Sequence, residues 1–71
     1  MSKQLDHLDA IARDVRTGNT DRVWVLSTGE RLYVGLAANR LDVLGDYTVA
    51  QALARIGDDW VSALVNRWQY A

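Results

Sequence analysis

The sequence predicts a single α+β domain of order αββα over residues 1–71, and three patterns predict it. Apolar residues recur at helical spacing near the N-terminus, two short β-branched runs flank Thr28-Gly29, and the tetrad Thr48-Val49-Ala50-Gln51 opens a second helical stripe. They assign an N-terminal helix, a β-hairpin, and a C-terminal helix or helical hairpin.

In the first segment Leu5, Leu8, Ile11, Ala12 and Val15 return every three or four residues, while Asp6, Asp9, Arg13, Asp14 and Arg16 fill the other face. That amphipathic pattern predicts a helix from about Lys3 to Thr17. Ser2 is its expected N-cap, Asp9 and Arg13 an ion pair one turn apart, and Gly18 its left-handed stop.

Arg22 to Ser27 and Arg31 to Leu36 are read as strands, because β-branched and bulky residues dominate both and turn formers bound them. Leu32, Val34 and Leu36 alternate with Arg31, Tyr33 and Gly35, and Gly29 is expected to supply the positive φ of the connecting turn. Residues 37–45 stay open between a short third strand and an irregular segment. Thr48 and Gln51 have the form of a capping box. Beyond it Val49, Leu53, Ile56, Trp60, Leu64 and Trp68 keep one stripe, whereas Gly57-Asp58-Asp59 favours a break with an aspartate cap; one helix and two remain the alternatives. Trp60, Leu64, Leu53, Ile11 and Leu32 are the expected core.

At 71 residues and without cysteine, the chain has no disulfide or thiolate metal site to stabilise it, so packing or assembly must. Its formal charge of −1, with both signs interspersed, offers no field for nucleic acid. No uncharged run approaches the roughly 20 residues of a membrane span. Met1-Ser2-Lys3-Gln4 leads straight into helical sequence without an apolar leader, from which a cytoplasmic location is expected.

Few residues could carry chemistry. His7 is the single histidine, Asp58-Asp59 suit a helix start, Ser27 and Ser62 sit in no nucleophile motif, and the glycines are too dispersed for a phosphate loop. No catalytic, metal or cofactor site is expected, and an enzyme is not. The aromatics remain. With one hairpin face packed on the helices, Trp24 and Tyr33 would form an exposed patch edged by Arg22 and Arg31, with Trp68 and Tyr70 as a second candidate protein interface.

Two local resemblances bear on function. Thr48 to Arg67 has the outline of a helix-turn-helix, which would place Asn66, Arg67 and Gln69 toward DNA; it departs from that pattern at Asp58, where an apolar residue is usual, and in acids that phosphate would meet. Val23 to Gly35 resembles the opening strands of Sm-like and SH3-like barrels. Taken whole, the chain resembles small phage- and prophage-encoded proteins: a lone near-neutral domain without cysteine or catalytic motif, rich in Arg, Asp, Ala and Leu as GC-rich genomes favour. That resemblance implies a non-enzymatic modulator or inhibitor of a larger host complex, such as RNA polymerase or a CRISPR surveillance complex, and carries no site residues with it. The expected partner is therefore a larger protein complex, with a homodimer as the other assembly, direct nucleic-acid contact disfavoured, and no membrane.

Overall fold

The computed structural model describes residues 3–70 and contains four α-helices: α1 (Lys3–Arg16), α2 (Thr28–Ala38), α3 (Val49–Ile56) and α4 (Asp58–Trp68). Two 3-10 turns, Val23–Val25 and Leu41–Leu44, lie on either side of α2. There is no strand among the described residues, so the fold is all-helical and the expected α+β class is wrong.

α1 follows the sequence closely. Leu5, Leu8, Ile11, Ala12 and Val15 are buried. At its end the Asn19 N–H donates to the Asp14 carbonyl and the Gly18 N–H to the Val15 carbonyl, both at 2.9 Å. These bonds form a Schellman stop around Gly18, whose φ of 101° is open to glycine and costly for a branched residue. The expected cap Ser2 lies outside the described residues. Asp9 is a correction: it sits on the buried stripe, one turn from Leu5, and pairs with Arg67 rather than Arg13.

The hairpin is the main correction. Residues 23–25 form a 3-10 turn and residues 28–38 a helix, because Ser27 and Glu30 build a capping box. The Ser27 N–H donates to Glu30 Oε1 at 3.0 Å and the Glu30 N–H to Ser27 Oγ at 3.4 Å. Gly29 lies in the first turn of α2 and has no positive φ. Alternation misleads here because α2 is enclosed on several sides: Leu32, Tyr33, Val34 and Gly35 are consecutive and all buried. A helix apolar all round loses its 3.6-residue signature and reads as a buried strand. The same finding removes the small-barrel likeness of 23–35. The open segment 37–45 is neither a third strand nor wholly irregular: it contains the end of α2, stopped by left-handed Asn39, and the second 3-10 turn.

In the C-terminal part the Thr48–Gln51 capping box forms as read, with both reciprocal bonds present at 2.9 and 3.1 Å. The chain then breaks at Gly57, whose φ of 88° ends α3 and starts α4. Gly57 itself is the N-cap and makes no side-chain cap bond; Asp58 and Asp59 lie in the first turn, where the helix dipole favours acids.

α2 is the axis of the fold. One core cluster joins α1 and α2 through Leu8, Ile11, Val15, Tyr33 and Val34, with Trp60, Leu64 and Trp68 of α4 packed against it. A second joins Leu32, Leu44 and Ala52, so α3 and the second 3-10 turn close the other side of α2. Of the expected core, Ile11 and Leu32 are fully buried, whereas Leu53, Trp60 and Leu64 are half-buried. The close approach is at Gly35, where an added Cβ would stand 2.9 Å from Leu44 Cδ2 and 3.3 Å from Val43 Cβ.

The two α2 glycines should therefore respond in opposite directions. Gly35→Leu overfills the α2 contact with the Leu41–Leu44 turn and is expected to cost about 1–3 kcal/mol. Gly29→Ala adds a methyl whose nearest neighbour is Arg55 Nη1 at 3.9 Å. It should stabilise the domain by about 0.4–1 kcal/mol, since it restricts the unfolded chain at a helical position. Thermal unfolding followed by circular dichroism checks both, and a drop in midpoint for Gly29→Ala would contradict the helical assignment.

Candidate functional site

Two surfaces bring together residues with binding chemistry. The first is the 3-10 turn Val23–Val25. Val23 is buried and pins the turn to the core, its N–H bonded to the Thr20 carbonyl at 3.2 Å. Its neighbours point outward: Trp24 is 63 % exposed and Val25 85 %. The Arg31 guanidinium of α2 lies 5.8 Å from the Trp24 ring centroid and donates to the Val43 carbonyl, so it stacks on the indole while tethered to the second 3-10 turn.

The expected patch is only partly assembled. Trp24 and Arg31 meet, but Arg22 is ion-paired with Asp14 of α1, and Tyr33 is 0 % exposed. Tyr33 on the surface is thus a correction that follows from the hairpin: on a strand it would face away from Leu32, whereas on enclosed α2 it turns into the core. There its ring meets Trp60 edge to face, with centroids 5.6 Å apart.

Tyr33 leads to the polar junction at the centre of the domain. Its hydroxyl donates to Asp9 Oδ1 at 2.8 Å, the Trp68 Nε1–H donates to the same oxygen at 2.9 Å, and Arg67 donates to Asp9 Oδ2 at 2.8 Å. Arg67 also bonds Asp6 at 2.8 Å. Asp9 is 5 % exposed, and one carboxylate takes three donors from α2 and α4. Burial pushes its carboxyl upward, but the hydrogen bonds from Arg67, Trp68 and Tyr33, with the Arg67 charge, outweigh that and hold it below its ordinary value. Burial first, and then the bond to Asp9, push the Tyr33 phenol well above its ordinary value.

This junction orders the second surface. Arg13 and Arg16 lie 5.6 and 5.8 Å from the Trp68 ring centroid and, with Thr17 and Arg67, line an open cleft of about 380 Å³. An adjoining groove of about 390 Å³ shares Arg16 and Trp68 and runs between α2 and α4. Of the residues assigned to a DNA contact, Arg67 is occupied by Asp6 and Asp9, Gln69 lines the groove, and Asn66 is exposed. Tyr70, 93 % exposed, does not line either hollow, so Trp68 and Tyr70 do not share a site.

The cleft escaped sequence reasoning, although its signal was there. Asp6, Asp9, Arg13 and Arg16 are spaced at three, four and three residues, which is one helical stripe, acidic at its start and basic at its end. Among the described residues no group of three or more His, Cys, Asp or Glu is placed to hold a metal, and no helix is long and apolar enough to cross a membrane. Compared with protein-family models, curated proteins and solved structures, the chain matches none.

Asp9→Ala leaves the buried Tyr33 hydroxyl without its acceptor and is expected to cost about 1–3 kcal/mol, while the exposed Arg67 keeps its pair with Asp6. Its pH dependence has a definite sign. Because the folded-state value is lowered, the unfolded chain binds more protons as acid is added, so Asp9's contribution is complete above about pH 4 and lost as pH falls through the folded value. Glu30 and Asp42 are also lowered, by Gln4 and Arg40 respectively, and carry part of the same fall. In Asp9→Asn the melting midpoint should therefore decline less steeply between about pH 5 and 2 than in the wild type.

Proposed function

We propose that this domain is a non-enzymatic protein-binding module that modulates a larger protein complex, and that Trp24 is its anchor. The observation that carries this reading is an indole 63 % exposed beside Val25 at 85 %, on a turn whose third apolar residue, Val23, is buried. Trp24 is the one exposed tryptophan of the three, and leaving it and Val25 in water on a pinned turn forgoes burial worth roughly 1.5–3 kcal/mol for a large apolar side chain. Tryptophan and arginine are also the side chains that most often dominate protein interfaces, and Arg31 is stacked against Trp24. Holding the pair in place before binding reduces the ordering cost of association. The overall charge of −1 favours a protein partner over a polyanion.

The test is a tagged pull-down from host lysate, with and without nuclease, using wild type, Trp24→Ala and Tyr70→Ala. Trp24→Ala should melt close to wild type, since its ring is mostly in solvent, yet lose a nuclease-resistant partner that Tyr70→Ala retains. Truncating such an anchor typically costs about 2 kcal/mol or more, close to thirtyfold in affinity. Recovery only through nucleic acid, or equal recovery by Trp24→Ala, would refute the proposal.

A further inference from the structure

Arg13 and Arg16 share one platform. They lie one turn apart at the end of α1, with both guanidiniums over the Trp68 ring at 5.6 and 5.8 Å. Like charges at that spacing repel. Among the described residues Arg22, Arg40 and Arg67 each have a carboxylate within salt-bridge distance, whereas Arg13 and Arg16 have none. The α1 dipole and the Trp68 ring offset part of that repulsion, and two exposed guanidiniums are left without a counter-charge. The platform is held from behind, because the Trp68 N–H is bonded to Asp9 and Arg67 is clamped between Asp6 and Asp9.

The apolar half of the site adjoins this cation pair. Beyond Arg16 and Trp68 the groove between α2 and α4 is lined by Leu36, Ala37, Leu64 and Val65 together with the polar Asn39 and Gln69. No residue of α4 is fully buried, so this helix covers the core while its own flank stays uncovered. A cationic end joined to an aliphatic floor complements a ligand that carries carboxylates beside aliphatic side chains.

We propose that this cleft binds an acidic, amphipathic peptide segment of a partner protein, with carboxylates set between Arg13 and Arg16 and aliphatic side chains laid along Leu36, Leu64 and Val65. Guanidinium recognises carboxylate with short, paired, charge-assisted bonds. A helical segment with apolar residues three and four apart suits a groove between two helices. Nucleic acid fits less well: Leu36, Leu64 and Val65 line the groove, Asp6 stands beside Arg67, and of the three arginines lining the cleft only Arg13 and Arg16 have no carboxylate within salt-bridge distance among the described residues. A second copy fits less well too, since the apolar stripes of α1 and α2 are already spent on their own core. The site is built from different residues than the Trp24 surface and does not rest on that reading.

The experiment is a titration of the isotope-labelled protein, followed by amide and indole resonances, with a synthetic amphipathic peptide carrying Leu at three- and four-residue spacing and Glu along one edge. The same peptide with Lys for Glu and a short oligothymidine are the comparison probes. Saturable shifts centred on the Trp68 indole N–H, Arg13, Arg16 and Val65 are expected with the Glu peptide and not with the Lys peptide. The double variant Arg13→Gln/Arg16→Gln should weaken binding about tenfold or more, the equivalent of one lost charge-assisted contact. Val65→Glu, at an exposed groove position, should weaken it independently and carries the test if the double variant melts early; Trp24→Ala should leave it unchanged. Absence of saturation at millimolar Glu peptide, equal binding of the Lys peptide, or tighter binding of oligothymidine would overturn the proposal. So would a dimer in sedimentation that Val65→Glu abolishes, because a second copy would then cover the groove.

Discussion

The Asp9 carboxylate is the constraint on which the arrangement of helices depends. It leaves the buried stripe of α1 and accepts from Tyr33 of α2 and from Arg67 and Trp68 of α4. Apolar packing alone would let short helices slide past one another, since burial is nearly indifferent to register. A buried charge is not indifferent: desolvating it is costly unless both oxygens find donors, and here the three donors come together only when α1, α2 and α4 meet at one crossing. No buried polar side-chain atom among the described residues lacks a partner.

Around that junction, the helices are ended by local chemistry that needs no long-range partner. Reciprocal capping boxes start α2 and α3, and left-handed residues at 18 and 39 stop α1 and α2. Long-range polar contacts then add to the crossing: Gln4 donates to Glu30 at 3.0 Å, and Arg40 reaches the Val15 carbonyl at 3.1 Å. Each is modest by itself, because exposed hydrogen bonds trade with water. Together they join both ends of α1 to the two ends of α2.

The same economy accounts for the two surfaces. Trp60 and Trp68 support the core from α4, and Trp68 also faces outward as the platform for Arg13 and Arg16. Trp24, on a turn outside the helical layers, has no such core role. What distinguishes the tryptophans is therefore the element that carries each one, and residue type alone says nothing about it.

The buried stripe of α1, its Gly18 stop, the Thr48–Gln51 box and the alternatives at Gly57 are legible in the sequence because each depends on residue spacing or short-range bonds. Ser27 and Glu30 were equally local and equally legible in principle, being the same S-x-x-E tetrad that starts a helix. Their signal was overridden by alternating apolar residues, and that alternation is ambiguous for any segment buried on both sides. Reading 22–27 and 31–36 as strands puts Tyr33 at the surface and leaves the Arg13–Arg16–Trp68 cleft no frame in which to form. By itself, then, the sequence determined two amphipathic stripes, the Gly18 stop and the Thr48–Gln51 box, since these follow from side-chain spacing and short-range hydrogen bonding. Only the tertiary structure decided that α2 is central, that Asp9 is buried and satisfied, and which tryptophan meets water. Those outcomes depend on which surfaces are covered by residues as many as 59 positions away, as Trp68 is from Asp9.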